Sequence, residues 1–240
     1  GATLLAASDA ESEEKETEIK AEAFIKAVRD GNKVVVKEEY KPTSGVGKKV
    51  LFVDHQDSFV HTLGGYVRQT GAEVLTMRSG FPESLIDEFK PDLVFLSPGP
   101  FTPSHFGLPE LIKRLMARNI PLFGVCLGLQ GMVEAMGGEL GVLDIPQHGV
   151  HAYIKHNNTC VFEGLPQPMK ASRYHSLYGI EEKLPGCFNI SARSEDGVIM
   201  GITHKSYPMA AVQFHPESIH ALGKDAGLRL IDNVLRKFCL

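Results

Sequence analysis

The chain has 240 residues, 43% of them hydrophobic and 22% charged, which suffices for one large globular domain or for a domain with an appendage. A net charge of −4 and the lack of a dense Lys/Arg run argue against a protein that binds a nucleic-acid backbone. No apolar stretch approaches about 18 residues and no secretory signal opens the chain, so we expect a cytoplasmic protein that does not enter a membrane.

The first part of the chain predicts an acidic helix. Ser8 and Glu11 have the spacing of a capping box. Three Glu-before-Lys pairs at i,i+4 follow, which favour a solvated helix over residues 10–29: Glu11/Lys15, Glu16/Lys20 and Glu22/Lys26. This helix either docks on the main domain or is the remnant of a neighbouring domain, and a chain that starts with Gly fits an excised piece of a longer polypeptide. Residues 31–47 have the composition of a linker.

From residue 49 onward, apolar runs alternate with segments of helical spacing. The predicted strands of this part cover residues 50–53, 74–77, 93–96 and 121–125, and the predicted helices cover 59–69 and 107–118. Such alternation predicts a parallel sheet covered on both faces, with its chemistry beyond the carboxyl ends of the strands. Later strands are expected at 151–155, 198–202 and 209–214, before a closing helix over 225–238.

The sharpest motif joins a strand to a helix at residues 124–130, which read Gly-Val-Cys-Leu-Gly-Leu-Gln. Its form is that of a nucleophile elbow, in which two glycines make room for a tight turn. Cys126 would then stand at a helix N-terminus, where free N–H groups and the dipole favour a thiolate. The N–H of Leu127 would point at a developing oxyanion. A buried structural cysteine in a glycine-rich turn is the other interpretation.

A candidate base follows the last predicted strand, in the sequence Phe214-His215-Pro216-Glu217. Pro216 favours an extended chain, in which residues two apart share a side. We therefore expect Glu217 to orient the imidazole of His215, and His215 to serve the thiol of Cys126.

These residues resemble the class I glutamine amidotransferases, whose signatures are a G-x-C-x-G-x-Q elbow and a distal H-P-E. The similarity extends to Ser97-Pro98-Gly99-Pro100 and to residues 173–177, Arg-Tyr-His-Ser-Leu. Within the family the chain is most similar to the amidotransferase part of anthranilate synthase, in the form fused behind a chorismate-using synthase domain. The resemblance implies three parts: a segment over 1–30 similar to the tail of a synthase domain, a linker over 31–47 and an amidotransferase domain over 48–240.

The resemblance also implies the fold and the roles of the residues. The fold would be α/β, a three-layer sandwich with a mostly parallel central sheet of flavodoxin-like type, preceded by a helical N-terminal segment. The catalytic residues would be Cys126, His215 and Glu217. The N–H groups of Gly99 and Leu127 would form the oxyanion hole, and glutamine would be bound by Gly99, Pro100, Phe101, Gln130, Ser176 and Leu177.

The implied activity is hydrolysis of L-glutamine through a cysteine thioester, with the ammonia passed to a chorismate-using synthase that makes anthranilate for tryptophan biosynthesis. The synthase would belong to the same longer polypeptide. No cofactor is implied for the amidotransferase domain, and Mg²⁺ would belong to the absent synthase domain. No metal site is expected from the spacing of the histidines, and Cys160, Cys187 and Cys239 are expected to be core or surface thiols.

Two departures from the family pattern leave alternatives open. The family usually has Gly where this chain has Phe101, which could reshape the loop over the glutamine pocket. Residues 148–152 are also unusual in a region that often faces the synthase. The alternatives are an amidotransferase for another chorismate-derived product, aminodeoxychorismate or a phenazine precursor, and a non-catalytic binding or regulatory module of the same fold.

Overall fold

The computed structural model describes residues 40–218 and 225–239, and the helix expected over residues 10–29 lies outside them. Short 3₁₀ helices occur at Pro103–Phe106, Cys160–Phe162 and Glu181–Lys183. The strands and α-helices follow in chain order: β1 (Lys49–Asp54), α1 (Val60–Gln69), β2 (Glu73–Arg78), α2 (Ser84–Phe89), β3 (Leu93–Leu96), α3 (Leu108–Ala117), β4 (Leu122–Val125), α4 (Leu127–Ala135), β5 (Leu140–His156), β6 (Met169–Gly179), β7 (Phe188–Ser194), β8 (Ile199–His204), β9 (Met209–Val212) and α5 (Ala226–Phe238).

The nine strands found within residues 40–218 form one sheet in the order β2-β1-β3-β4-β9-β8-β7-β5-β6. The pairs from β2 to β9 are parallel, which gives the strand order of a flavodoxin-like sheet with β9 as its fifth strand. The remaining pairs are antiparallel and extend the sheet beyond β9. In such a sheet the ligand site lies at the carboxyl ends of the parallel strands, where the order reverses.

The parallel strands β1, β3, β4 and β9 are buried on both faces, and their alternate side chains point to opposite layers, whereas β2 at the edge is half-buried. Phe52 and Phe95 stack at 4.8 Å in one core cluster, which α1 and α5 cover. Leu51 and Leu96 belong to the second cluster, which α2, α3 and α4 cover. The expected three-layer α/β fold with parallel central strands is thus confirmed.

Most predicted elements are present, but the antiparallel part is larger than predicted. The expected strand at 151–155 is the end of the 17-residue strand β5, which pairs with the 11-residue strand β6 through two register shifts. The sequence patterns also did not predict α2, β6 and β7. Residues 140–151 of β5 are exposed or half-buried and bulges interrupt the strand, so its apolar residues there have no clear period.

The start of the described chain is attached to the last helix. The hydroxyl of Tyr40 donates to Oδ2 of Asp232 at 2.7 Å, and the N–H of Ser44 donates to Oδ1 at 3.1 Å. Arg229 lies 4.0 Å from the Tyr40 ring centroid. These contacts hold the end of the expected linker against α5, while the three-part division of the chain stays a prediction. None of the helices in residues 40–218 and 225–239 is long and apolar enough to cross a membrane.

Candidate active site

Cys126 occupies the tight turn between β4 and α4. Its backbone has φ 53° and ψ −99°, a sparsely populated conformation for a residue with a side chain. Two glycines allow this turn: a Cβ atom on Gly124 would lie 2.7 Å from the carbonyl carbon of Gly128, and one on Gly128 would lie 2.8 Å from the carbonyl oxygen of Leu96. Because both neighbours are backbone atoms, neither position can accept a side chain without movement of the chain.

His215 and Glu217 form a buried pair beside the thiol. Nδ1 of His215 lies 2.7 Å from Oε1 of Glu217, and their side chains are 1% and 0% exposed. The expected extended chain is wrong here: Pro216 and Glu217 lie in a turn in which the N–H of Ser218 donates to the carbonyl of His215 at 3.3 Å. The turn brings the carboxylate to the imidazole although the chain does not continue as a strand beyond β9.

Burial and neighbouring groups act on His215 in opposite directions. Burial has the largest effect and lowers the pKa of His215, because it disfavours the charged ring. The interactions with Cys126 and Glu217 together outweigh it and hold the pKa of His215 well above its usual value. An imidazolium is therefore favoured between a sulfur that can carry negative charge and a carboxylate.

Aromatic side chains enclose the imidazole. The ring centroids of Tyr174 and Phe59 lie 5.0 and 5.3 Å from that of His215. Tyr174 belongs to β6, and the N–H of His215 donates to the carbonyl of Ser172 on the same strand at 3.1 Å. The β5–β6 hairpin thus returns to the end of β9 and shields the site from water.

The loop after β3 meets the elbow at Gly99. A Cβ atom there would lie 2.7 Å from Cδ2 of Leu127 and 2.7 Å from the carbonyl oxygen of His55. Gly99 is thus held between the ends of β1 and β4, next to Leu127. The N–H of Leu127 lies in the first turn of α4, where backbone N–H groups have no intrahelical acceptor. Gly99 and Leu127 are therefore neighbours beside Cys126, and their role as an oxyanion hole stays a prediction.

A cavity of about 140 Å³ opens beside Cys126. Gln130, 3% exposed, lines it and donates from Nε2 to the carbonyl of Leu177 at 3.1 Å. The structure therefore places the residues predicted to bind glutamine in the same cavity as the thiol of Cys126. The cavity is lined by Gly99, Pro100, Phe101, Cys126, Gln130, Tyr174, His175, Ser176 and Leu177.

Phe101 stands at the mouth of this cavity without closing it. Its side chain is 65% exposed, and its ring lies 4.6 Å from that of His105. The backbone has φ 64°, the left-handed region that glycine adopts most easily. The departure from the family pattern therefore leaves a cavity in place but puts a side chain where the backbone favours glycine.

Sequence reasoning missed Gln213, which links two parts of the site. It is fully buried, and its Nε2 lies 3.5 Å from Sγ of Cys126. Its Oε1 accepts from Nε2 of Gln130 at 3.5 Å. The signal in the sequence is a lone polar residue inside the apolar run that ends at Phe214, which marks a buried side chain in need of a partner.

The described part of the chain holds no metal-binding cluster, and two of its other thiols, Cys160 and Cys239, are not activated. Within residues 40–218 and 225–239, no group of three or more His, Cys, Asp or Glu side chains could hold a metal ion. All four cysteines are free. Burial raises the pKa of Cys160, and that of Cys239 to about 12, so neither thiol is activated.

Comparison with known proteins agrees with this geometry. The family model for class-I glutamine amidotransferases matches residues 51–234. An anthranilate synthase of Azospirillum brasilense is 46% identical over 236 residues, 98% of this chain and 32% of that protein. Component 2 of the aminodeoxychorismate synthase of Escherichia coli (strain K12) is 40% identical over 189 residues, 78% of this chain and 100% of that protein.

A solved structure is similar as well. That of a candidate GMP synthase subunit from Thermoplasma acidophilum has a TM-score of 0.70 at 25% identity, over 78% of this chain and 92% of that one. The chain thus spans about a third of the length of its Azospirillum relative (32%) and all of its Escherichia relative (100%).

Proposed function

The chain belongs to the class I glutamine amidotransferase family, and we propose that it hydrolyses L-glutamine to glutamate and ammonia. In this proposal Cys126 is the nucleophile, His215 the general base and acid, and Glu217 the carboxylate that orients the imidazole. The observation that carries it is the buried His215–Glu217 contact of 2.7 Å beside a thiol that lines a cavity.

The reaction uses groups that the site holds. The thiolate of Cys126 forms a bond to the side-chain carbonyl carbon of glutamine, and the oxyanion accepts hydrogen bonds from the N–H groups of Gly99 and Leu127. Protonated His215 gives its proton to the amide nitrogen as the C–N bond breaks and ammonia leaves. His215 then takes a proton from the water that attacks the thioester. The C–S bond breaks, and glutamate and the thiolate are released.

We assign the amino-acid end of glutamine to the side of the cavity away from Cys126. Gln130 offers its side-chain amide, and Ser176 and Leu177 offer backbone groups of β6. Gly99, Pro100 and Phe101 line the remaining side. No cofactor takes part in these steps, and any Mg²⁺ would act in the synthase that receives the ammonia.

We propose a chorismate-using synthase as the acceptor of the ammonia, with anthranilate as its product. Support comes from the Azospirillum relative described as an anthranilate synthase, whose match covers 98% of this chain. Aminodeoxychorismate is the alternative, because the Escherichia relative of that name is 40% identical. A partner surface is available on β5, where Val142, Ile145 and Val150 are 69%, 74% and 43% exposed beside the strand that carries Leu177.

Glutamate release tests the first step. The chain is assayed as purified and with a chorismate-using synthase, and we expect Cys126→Ala to abolish the release in both assays. Cys187→Ala, which removes a half-buried free thiol, is the matched control and should keep the activity. Equal rates in wild type and Cys126→Ala would show a non-catalytic module instead.

Product identity tests the acceptor. With chorismate, glutamine and the synthase present, mass spectrometry distinguishes anthranilate from aminodeoxychorismate. Anthranilate formation that stops in the Cys126→Ala variant, but continues when ammonia is supplied, supports the proposal. Aminodeoxychorismate as the sole product would replace the assigned pathway.

A further inference from the structure

A buried arginine connects the glutamine side of the cavity to a surface carboxylate. The side chain of Arg173, on β6, is 4% exposed, and its Nη1 lies 2.7 Å from Oδ2 of Asp196. Asp196 belongs to the turn between β7 and β8, and its side chain is 49% exposed. Burial has the largest single effect and acts to raise the pKa of Asp196, but the hydrogen bonds from Ser194 and Arg173 and the charge of Arg173 together outweigh it and lower the pKa, which favours the charged form.

Arg173 determines which nitrogen of His175 carries the proton. Nε of Arg173 donates to Nε2 of His175 at 3.1 Å, and a guanidinium offers donors only. The proton of the neutral ring is therefore on Nδ1, which donates to the carbonyl of Leu177 at 2.9 Å. Burial, aided by the charge of Arg173, lowers the pKa of His175 to about 4, so the ring is neutral at physiological pH.

The carbonyl of Leu177 is the point where this chain of contacts reaches the cavity. It accepts from Nδ1 of His175 at 2.9 Å and from Nε2 of Gln130 at 3.1 Å. Two donors converging on one oxygen hold both the backbone of β6 and the amide of Gln130 in one orientation. Asp196 and Arg173 thus act on Gln130 through His175, although His175 lines the cavity and they do not.

We propose that Asp196 and Arg173 are positioning residues that set the affinity for glutamine, by orienting His175 and through it the Leu177 carbonyl and the Gln130 amide. This inference rests on the proposed function and adds to it the residues that set the affinity for glutamine. The predicted effect falls on recognition of the amino-acid end of the substrate, because within the described residues the hydrogen bonds of Asp196, Arg173 and His175 lead to Leu177 and do not reach Cys126, His215 or Glu217.

A role in stability alone explains the arrangement less well. A buried guanidinium is costly, and in the described part of the chain Nη2 of Arg173 has no hydrogen-bond partner. An apolar residue of similar size would fill the same space at lower cost. The charge is accounted for if its function is to keep Nε aimed at Nε2 of His175 and so to maintain one tautomer of that ring.

The test compares two alkylating agents that attack the same thiol. Iodoacetamide needs only a reactive Cys126, whereas the diazoketone analogue of glutamine must also place its amino-acid end against Gln130 and Leu177. The variant is Asp196→Asn, with Asp196→Glu to restore the charge. Glu195→Gln is the matched control, because it removes the same charge from the same turn one residue away.

For Asp196→Asn we expect the diazoketone concentration that gives half-maximal inactivation to rise about five- to tenfold, as for the loss of one charge-assisted hydrogen bond. The KM for glutamine should rise by a similar factor with kcat within about twofold. The iodoacetamide rate should be unchanged, Asp196→Glu should recover much of the affinity, and Glu195→Gln should behave as wild type.

Three results would overturn the inference. Asp196→Asn could leave the diazoketone affinity unchanged, it could slow both reagents equally, or Glu195→Gln could have the same effect. Thermal unfolding of each variant identifies a loss of fold, and a variant that unfolds is replaced by Arg173→Lys under the same readouts. A wild-type protein whose Cys126 is not labelled by the diazoketone contradicts the proposed function instead, so the two failures are distinguishable.

Discussion

Gly124 and Gly128 are packed against each other so closely that a Cβ atom on Gly124 would lie 2.7 Å from the carbonyl carbon of Gly128. We therefore expect Gly124→Ala to lower the free energy of unfolding by about 1–3 kcal/mol and to displace Cys126, since only backbone can move to relieve the clash. Urea unfolding and the iodoacetamide labelling rate measure the two effects.

Gly65 in α1 provides the control for that experiment, because a Cβ atom there meets nothing within 4 Å. Gly65→Ala should raise the free energy of unfolding by up to about 1 kcal/mol through helix propensity. Effects of the same sign at both positions would contradict the steric explanation of the elbow.

Glu217→Gln removes the charge that faces Nδ1 of His215 at 2.7 Å. The effect of burial on His215 is then less opposed, so its pKa falls, and the imidazolium proposed to protonate the leaving amide nitrogen is lost at a lower pH. We expect kcat for glutamine hydrolysis to fall about 100-fold or more, and the alkaline limb of the kcat–pH profile to move to lower pH. The exposed Glu182→Gln is the control, and an unchanged profile would exclude Glu217 as the orienting group.

Gln213→Met removes a hydrogen-bond donor 3.5 Å from Sγ of Cys126 and keeps the volume of the side chain. The thiolate loses one stabilising contact, so alkylation by iodoacetamide should slow about three- to tenfold. Gln69→Met, at the exposed end of α1, should leave the rate as in wild type. If both variants react at the wild-type rate, the amide of Gln213 does not act on the sulfur.

His55 makes stability depend on pH. Burial lowers the pKa of His55 to about 4, although Ser97 and Asp54 have smaller effects that raise it. In the unfolded chain the pKa is near 6.5. The contribution of the neutral His55 ring to the free energy of unfolding is therefore fully present above about pH 6.5 and is lost as the pH falls towards 4.

In the variant His55→Asn, the slope of the unfolding free energy against pH between 6.5 and 4.5 should be shallower, by up to about 1.4 kcal/mol per pH unit. Urea unfolding at several pH values measures both slopes. Parallel curves for variant and wild type would show that His55 takes up its proton equally in the folded and unfolded states.

Phe101 has φ 64°, so a glycine variant should be more stable there than an alanine variant, the opposite of the usual order. We expect Phe101→Gly to be more stable than Phe101→Ala by about 1 kcal/mol, because only alanine keeps the cost of left-handed backbone. At the exposed Val142 on β5 we expect the reverse order, with Val142→Ala more stable than Val142→Gly, since glycine weakens a strand. Thermal unfolding of the four variants provides the comparison.

The parallel half of the fold and the elbow could be predicted because their signals are local. Buried strands appear as short apolar runs, and the glycines on either side of Cys126 reflect the sterics of one turn. The β5–β6 hairpin could not be predicted in the same way. Its two register shifts and exposed face leave no regular period, although its residues Tyr174 and Leu177 line the cavity.

The amino-acid sequence by itself determined the kind of chemistry: a thiol in a glycine elbow, and a histidine followed at two residues by a carboxylate. Only the tertiary structure decided which distant residues come into contact in and around the site. Gln213 reaches Cys126 across 87 residues of chain, and Asp196 reaches Arg173 across 23. The physical reason is that a short turn is specified by the sterics of adjacent residues, whereas contacts between distant side chains depend on which strands become neighbours in the sheet.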